Sequence, residues 1–106
     1  MGILDFFKEP DVNQGVKEYL ATPDGVLLDV RSAQEYREGH IPGSINLPLQ
    51  RLEDAEEVLE DVDAPVYVYC RSGNRSRQAV AMLRQLGYSG ARNIGGIVSY
   101  SGELER

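Results

Sequence analysis

Cys70 is the only cysteine in 106 residues, and the stretch after it is too polar for a buried core: Arg71-Ser72-Gly73-Asn74-Arg75-Ser76. Gly73 and Asn74 tolerate the positive φ that a tight loop demands. A loop curled around a thiol would turn successive backbone N–H groups inward as an anion nest. A helix opening after it would add the positive end of its dipole, about half an elementary charge. Two arginines flank the loop. Each of these effects favours thiolate over thiol, so the Cys70 pKa is expected below that of a free cysteine. The chemistry that suits such a group is nucleophilic attack by sulfur on an anionic substrate. A lone cysteine is more often a small buried hydrophobe, but the order strand, Cys, polar Gly-containing loop, helix argues for the functional reading.

The same residue count closes other routes. One cysteine cannot make an intramolecular disulfide. Thioredoxin-like exchange needs a second, resolving thiol. With one histidine, His40, a thiolate metal site would have to recruit many carboxylates, so no metal or cofactor is expected. Sulfur or redox chemistry at Cys70 must therefore finish on another molecule.

The net charge of −6 argues against nucleic acid as a partner. Its distribution is more telling. From Ala64 to Gly102 there is no Asp or Glu, while Arg71, Arg75, Arg77, Arg84 and Arg92 give +5; the rest of the chain carries −11. This fits a local anion site on an acidic body or a solvated basic helix face, and charge alone leaves both open. No apolar run approaches the ~18 residues of a membrane span. The patch Ile3 to Phe7, broken by Asp5, is too short for a signal-peptide core. A cytoplasmic protein with no membrane partner is expected. The length, with 42% hydrophobic and 26% charged residues, fits a single globular domain over residues 1–106.

The elements that must position Cys70 can be read from period and punctuation. Val12, Val16, Tyr19 and Leu20 lie on one helical face between Pro10 and Ala21. Val26 to Val30 reads as a buried strand. Ser32-Ala33-Gln34-Glu35 fits a capping box, opening a short helix that Gly39 ends. After the Pro42-Gly43 turn, Ser44 to Leu47 reads as a strand and Leu49 to Glu60 as an acidic amphipathic helix. Val66-Tyr67-Val68-Tyr69-Cys70 is the clearest strand. The helix after the loop places Ala79, Val80, Leu83 and Leu86 on one face, with Gly87 as its stop. Ala91 to Ile94 is a last strand, and Ile97 to Leu104 reads as a closing helix. Alternating strands and helices predict an α/β fold, a mainly parallel sheet with helices on both faces. Ligands then belong at the carboxyl ends of the strands.

Three blocks bring a family into view: Leu27-Leu28-Asp29-Val30-Arg31-Ser32 with Glu35-Tyr36; Gly39-His40-Ile41-Pro42-Gly43-Ser44-Ile45-Asn46-Leu47-Pro48; and Tyr69-Cys70-Arg71-Ser72-Gly73-Asn74-Arg75-Ser76. In this order and spacing the chain resembles the single-domain rhodanese, or sulfurtransferase, family from about Pro10 onward, and Asn93-Ile94-Gly95-Gly96-Ile97 fits the family's ending. Ser44 stands where Ala is commoner, and Tyr100 where Trp usually stands. The N-terminus through Phe7 shows no obvious strand like the family's first. The resemblance implies a sheet of about five strands and sulfur transfer through a Cys70 persulfide. The donor would be a small anion such as thiosulfate, and the acceptor a thiol, cyanide or a protein. The loop Arg71, Ser72, Gly73, Asn74, Arg75 and Ser76 would bind the anion. Asp29 and Arg31 are read as an ion pair ordering loops at the site. His40 is read as a turn residue bonded to nearby backbone.

Two other readings stay open. The domain could be a sulfur carrier or binding module. A phosphatase or arsenate reductase of the same fold is the sharper rival. In the phosphatases of this fold five residues separate Cys and Arg, whereas four lie between Cys70 and Arg75, a tighter pocket suited to one sulfur.

Overall fold

The computed structural model describes residues 10–106. Its central strand, β3 (Val66–Cys70), is buried at every position. A β-branched and aromatic run covered on both faces is what the middle of a parallel sheet requires. β3 pairs in parallel with β1 (Val26–Asp29) on one side and β4 (Ala91–Gly96) on the other. β2 (Ile45–Asn46) adds outside β1, giving the order β2-β1-β3-β4. Side chains alternate across a strand. Val66, Val68 and Cys70 therefore share one face with Leu28, Leu52, Ala79 and Leu83, and Tyr67 and Tyr69 share the other with Val12, Val16 and Ile41. Helix α3 (Asn74–Gln85) and the 3-10 segment Leu49–Glu57 cover the first face; α1 (Val12–Leu20) covers the second.

The connections fix where a site can form. From β1 the chain passes through α2 (Ala33–Glu38) to β2, and from β3 through α3 to β4. Neighbouring strands thus send their connections in opposite directions. Their carboxyl ends part there, which is where open parallel sheets bind ligands. Cys70 ends β3, and Asp29 ends β1.

Several expectations need correction. The described residues form four strands rather than about five; the segment through Phe7 lies outside them. Leu49 to Glu60 is not an α-helix. It is a 3-10 segment ending at Glu57, broken at Arg51 and Asp54. Leu49, Leu52, Ala55 and Val58 recur every three residues and all meet the same core, which is the period of a 3-10 turn. The strand from Ser44 to Leu47 shrinks to Ile45–Asn46. Ile97 to Leu104 forms one 3-10 turn, Ile97–Ser99, and then an extended tail. That tail is tied down by side chains and backbone that a helix would have lost. Asn13 Nδ2 donates to the Ser99 carbonyl and Asn13 Oδ1 accepts the Ser101 N–H, both at 2.9 Å. His40 and Glu105 exchange two backbone bonds of 2.8 Å. Leu86, read on the same helical face as Ala79, Val80 and Leu83, is half exposed because α3 ends there, with Gly87 at φ +104°.

β4 approaches the Cys70 loop closely at its end. A Cβ on Gly96 would fall on the Arg71 carbonyl oxygen and Ser72 Cα. Overpacking of this kind costs about 1–3 kcal/mol. Gly96→Ala should lower the thermal midpoint by roughly 5–15 °C. A melting curve that superimposes on the wild type would show that the loop does not rest on Gly96.

Candidate active site

β3 delivers Cys70 to the carboxyl end of the central strand, and the chain then reverses. The reversal depends on Gly73, at φ +102° and at the N-cap of α3, a conformation that costs glycine little. Asn74 does not share that role: among the described residues no non-glycine has positive φ, and Asn74 already begins α3. The turn returns the Gly73 N–H to Cys70 Sγ at 3.0 Å, and Ser76 Oγ lies 3.4 Å from the sulfur. No side chain caps α3, so its first N–H groups are left for the site. Cys70 is only 1% exposed. Burial pushes its thiol up, but the Ser76 hydroxyl and the N–H groups of Ser76, Gly73 and Ser72 outweigh that, and the pKa falls below its ordinary value. Hydrogen bonds, ahead of any arginine charge, favour the thiolate.

The two loop arginines differ. Arg75 is committed to Glu35, with Nη1–Oε1 at 2.7 Å and Nη2–Oε2 at 3.0 Å. Glu35 also completes the capping box of α2: its Oε1 accepts the Ser32 N–H at 3.0 Å, while Ser32 Oγ accepts the Glu35 N–H at 3.2 Å. One carboxylate thus closes the start of α2 and ties it to the first turn of α3. The Arg75 hydrogen bonds, against some desolvation and with help from Ser32, hold Glu35 at about 2. Arg71 is exposed and makes no ion pair among the described residues. It lines a cleft of about 410 Å³ with Arg31, Glu35, Ile97, Val98 and Leu104; Cys70 itself does not line it. Elsewhere in the acid-free segment, Arg92 pairs with Glu18 at 3.2 Å and Arg84 donates to the Ala91 carbonyl at 2.8 Å.

Asp29 and Arg31 form a buried pair, Nη2 to Oδ2 at 2.7 Å, and the same Nη2 donates to the Gly39 carbonyl at 2.6 Å. His40 Nδ1 meets the Tyr36 carbonyl at 2.8 Å, and its ring stacks on Tyr36 with centroids 3.7 Å apart. Tyr69 reaches from β3 to the same turn: its hydroxyl accepts the Ile41 N–H at 3.1 Å and lies 3.1 Å from Ser44 Oγ. Burial, with the Asp29 charge, keeps that phenol protonated far above its ordinary pKa. The 39–44 turn is thereby fastened to both central strands.

The Rhodanese-like domain family matches residues 12–103. The chain belongs to the rhodanese-like family. The Adenylyltransferase and sulfurtransferase uba4 of Ogataea parapolymorpha is 34% identical, over 92% of this chain and 25% of that protein. The human Thiosulfate:glutathione sulfurtransferase is 35% identical, over 76% of this chain and 82% of the relative. A solved structure described as a rhodanese with anions from E. coli superimposes with a TM-score of 0.72 at 31% identity, over 77% of this chain and 98% of that one. This chain spans about a quarter of the first relative's length.

Two residues of this rhodanese-like site escaped the sequence reading as site residues. Glu35 was legible as a capping residue; its partner lies 40 residues away, and no local pattern announces it. Asn93 contacts both Ser76 and Gly73 from β4. A polar side chain within a strand, just before Gly95-Gly96, was the available signal.

The Glu35–Arg75 pair gives a pH signature. A carboxylate whose folded pKa lies near 2 adds stability in full above its unfolded value of roughly 4.3. That contribution is lost as the pH falls through this window. With both side chains about 30% exposed, screening reduces the pair to about 1 kcal/mol. In urea titrations wild type should exceed Glu35→Gln by this amount at pH 6, and the gap should close between about pH 4.5 and 2. A gap independent of pH would mean that the ionised pair contributes nothing.

Proposed function

We propose that the protein is a sulfurtransferase that takes a sulfane sulfur from a small anionic donor such as thiosulfate, holds it on Cys70 and passes it to a thiol or cyanide, or to a thiol of a partner protein. The observation that carries this reading is the Gly73 N–H at 3.0 Å from Cys70 Sγ, inside a loop with four residues between Cys70 and Arg75. Relatives named sulfurtransferases support it. In the first half-reaction the Cys70 thiolate attacks the outer sulfur of thiosulfate. A new S–S bond forms, the old one breaks, and its electron pair leaves with sulfite. The persulfide keeps one negative charge. In the second, the acceptor thiolate or cyanide attacks the outer persulfide sulfur, and Cys70 departs as thiolate. No proton has to move in either step, so no general base is required. Two half-reactions on one covalent carrier predict ping-pong kinetics.

Each chain residue has a role in this scheme. The N–H groups of the loop Arg71 to Ser76 stabilise the charge on sulfur, as an oxyanion hole does for oxygen. Arg71 attracts the dianion. Asp29, Arg31 and His40 hold the neighbouring turn. Arg75, bound to Glu35, is not free to clamp a tetrahedral oxyanion, which favours sulfur transfer over phosphatase or arsenate reductase chemistry. A lone reactive thiol also suits a reducing compartment such as the cytoplasm.

Mass spectrometry after incubation with thiosulfate tests the core of this reading. Wild type should gain one sulfur atom on Cys70 and lose it to added cyanide or a small thiol, and Cys70→Ser should gain none. An unmodified wild-type thiol would refute the proposal; a persulfide that only a protein thiol discharges would make the domain a carrier. Arg71 is tested separately. Arg71→Ala should reduce kcat/KM for thiosulfate by about tenfold, and rising salt should lower wild type toward the variant. Arg84→Ala, in the last turn of α3, should leave turnover near wild type. Equal losses in both variants would make the cationic field diffuse, with no special part for Arg71.

A further inference from the structure

The hydroxyl that faces the sulfur has more acceptors than protons. Ser76 is fully buried. Its Oγ lies 2.7 Å from Asn93 Oδ1, 3.1 Å from the Gly73 carbonyl oxygen and 3.4 Å from Cys70 Sγ. A serine hydroxyl carries one proton, so it serves one acceptor at a time, and Asn93 offers the shortest contact. The orientation of that amide is fixed by its other neighbour. The Gly95 N–H, which can only donate, meets the same Oδ1 at 2.9 Å. The Asn93 amide nitrogen then faces the Gly73 carbonyl at 3.3 Å, an oxygen that already accepts the Arg77 N–H at 3.1 Å.

We propose that Asn93 is a positioning residue for Cys70: it occupies the Gly73 carbonyl and holds the Ser76 proton until negative charge appears on the sulfur, whereupon the hydroxyl turns from Asn93 to Cys70. The use of this device rests on the sulfur-transfer reading; its geometry does not. Opposite a neutral thiol, the amide oxygen is the better acceptor. Opposite a thiolate, a charge-assisted bond is stronger than a neutral one. Rotation about Cβ–Oγ exchanges the two partners without moving a heavy atom. Because the Gly73 carbonyl has Arg77 and Asn93 as donors, it does not compete for the proton.

The test reads Cys70 ionisation through the pH dependence of alkylation by iodoacetamide, which needs no turnover. Ser76→Ala should move the midpoint up, since the thiolate loses a donor. Asn93→Asp, nearly identical in shape, holds the Ser76 proton with a full charge and should also move it up. The deciding quantity is their coupling. The Asn93→Asp shift should be larger with Ser76 present than in the Ser76→Ala background. Equal shifts in the two backgrounds overturn the proposal, because an Asn93 that only supports the fold acts without regard to the hydroxyl. If Asn93→Asp does not fold, Asn93→Ala decides with the opposite sign: releasing the hydroxyl to sulfur should place its midpoint lower with Ser76 than its effect in Ser76→Ala predicts. Equal effects there overturn the proposal as well. In thiosulfate turnover, Asn93→Asp should lower kcat about tenfold. Coupling in a protein whose Cys70 takes up no sulfur would sustain the positioning role and refute sulfur transfer. Sulfur uptake without coupling would do the reverse.

Discussion

A sulfur that is buried and must still carry charge needs hydrogen-bond donors that water does not supply. Cys70 meets this condition, at 1% exposure and with its pKa lowered despite burial. Backbone N–H groups can converge on one atom only if the chain turns back immediately, and each carbonyl turned outward by that reversal then needs a partner of its own. The chain supplies them. The Arg71 carbonyl accepts the Val98 N–H at 3.2 Å, and the Gly73 carbonyl accepts from Arg77 at 3.1 Å and Asn93 at 3.3 Å. β4 therefore does more than extend the sheet. Its Gly95-Gly96 end comes close enough to the loop to serve those carbonyls, and only a residue without Cβ fits at Gly96.

Two carboxylates near this loop, Asp29 and Glu35, are already occupied by arginines. Asp29 gives both carboxylate oxygens to Arg31, and Glu35 gives both of its own to Arg75. A buried carboxylate left unpaired would oppose ionisation of a nearby thiol and would itself be costly to hold. Pairing removes both difficulties at these two carboxylates, while Arg71 makes no ion pair among the described residues. The same pairs also set geometry. Arg31 reaches the Gly39 carbonyl, and Glu35 links two helix starts, so the ion pairs that silence the carboxylates also lock the two loops flanking the crevice.

What the sequence disclosed was local. β3, the loop, α3 and the capping box at Ser32 are each specified within a few residues, and their periods or caps are unambiguous. The 3-10 segment was misread because apolar spacing of three satisfies a helical template as well; its strict recurrence at Leu49, Leu52, Ala55 and Val58 was the discriminating detail. The tail after Ser99 could not be read from its own residues, since Asn13 and His40, more than 60 positions away in the chain, hold it. Arg75 illustrates the same limit at the site. Its place in a polar loop suggested a charge for the substrate, and only the fold brings Glu35 to it.

That division between local and distant determinants also separates chemistry from access. The donors that bond Cys70 Sγ come from residues 72–76, so the ionisation of the sulfur is set by one short loop and by Asn93, which contacts that loop from β4. The cleft beside it is bounded differently. Val98 and Leu104, 61% and 43% exposed, line it together with Arg31 and Arg71, and Leu104 belongs to the tail held by the paired backbones of His40 and Glu105. A change in that tail can alter what approaches the cleft without touching a donor to the sulfur. A change in the loop alters the sulfur itself whatever approaches. The stacked Tyr36–His40 pair and the Tyr69–Ser44 contact thus bear on access through the tail's anchor, while Gly73, Ser76 and Asn93 bear on reactivity.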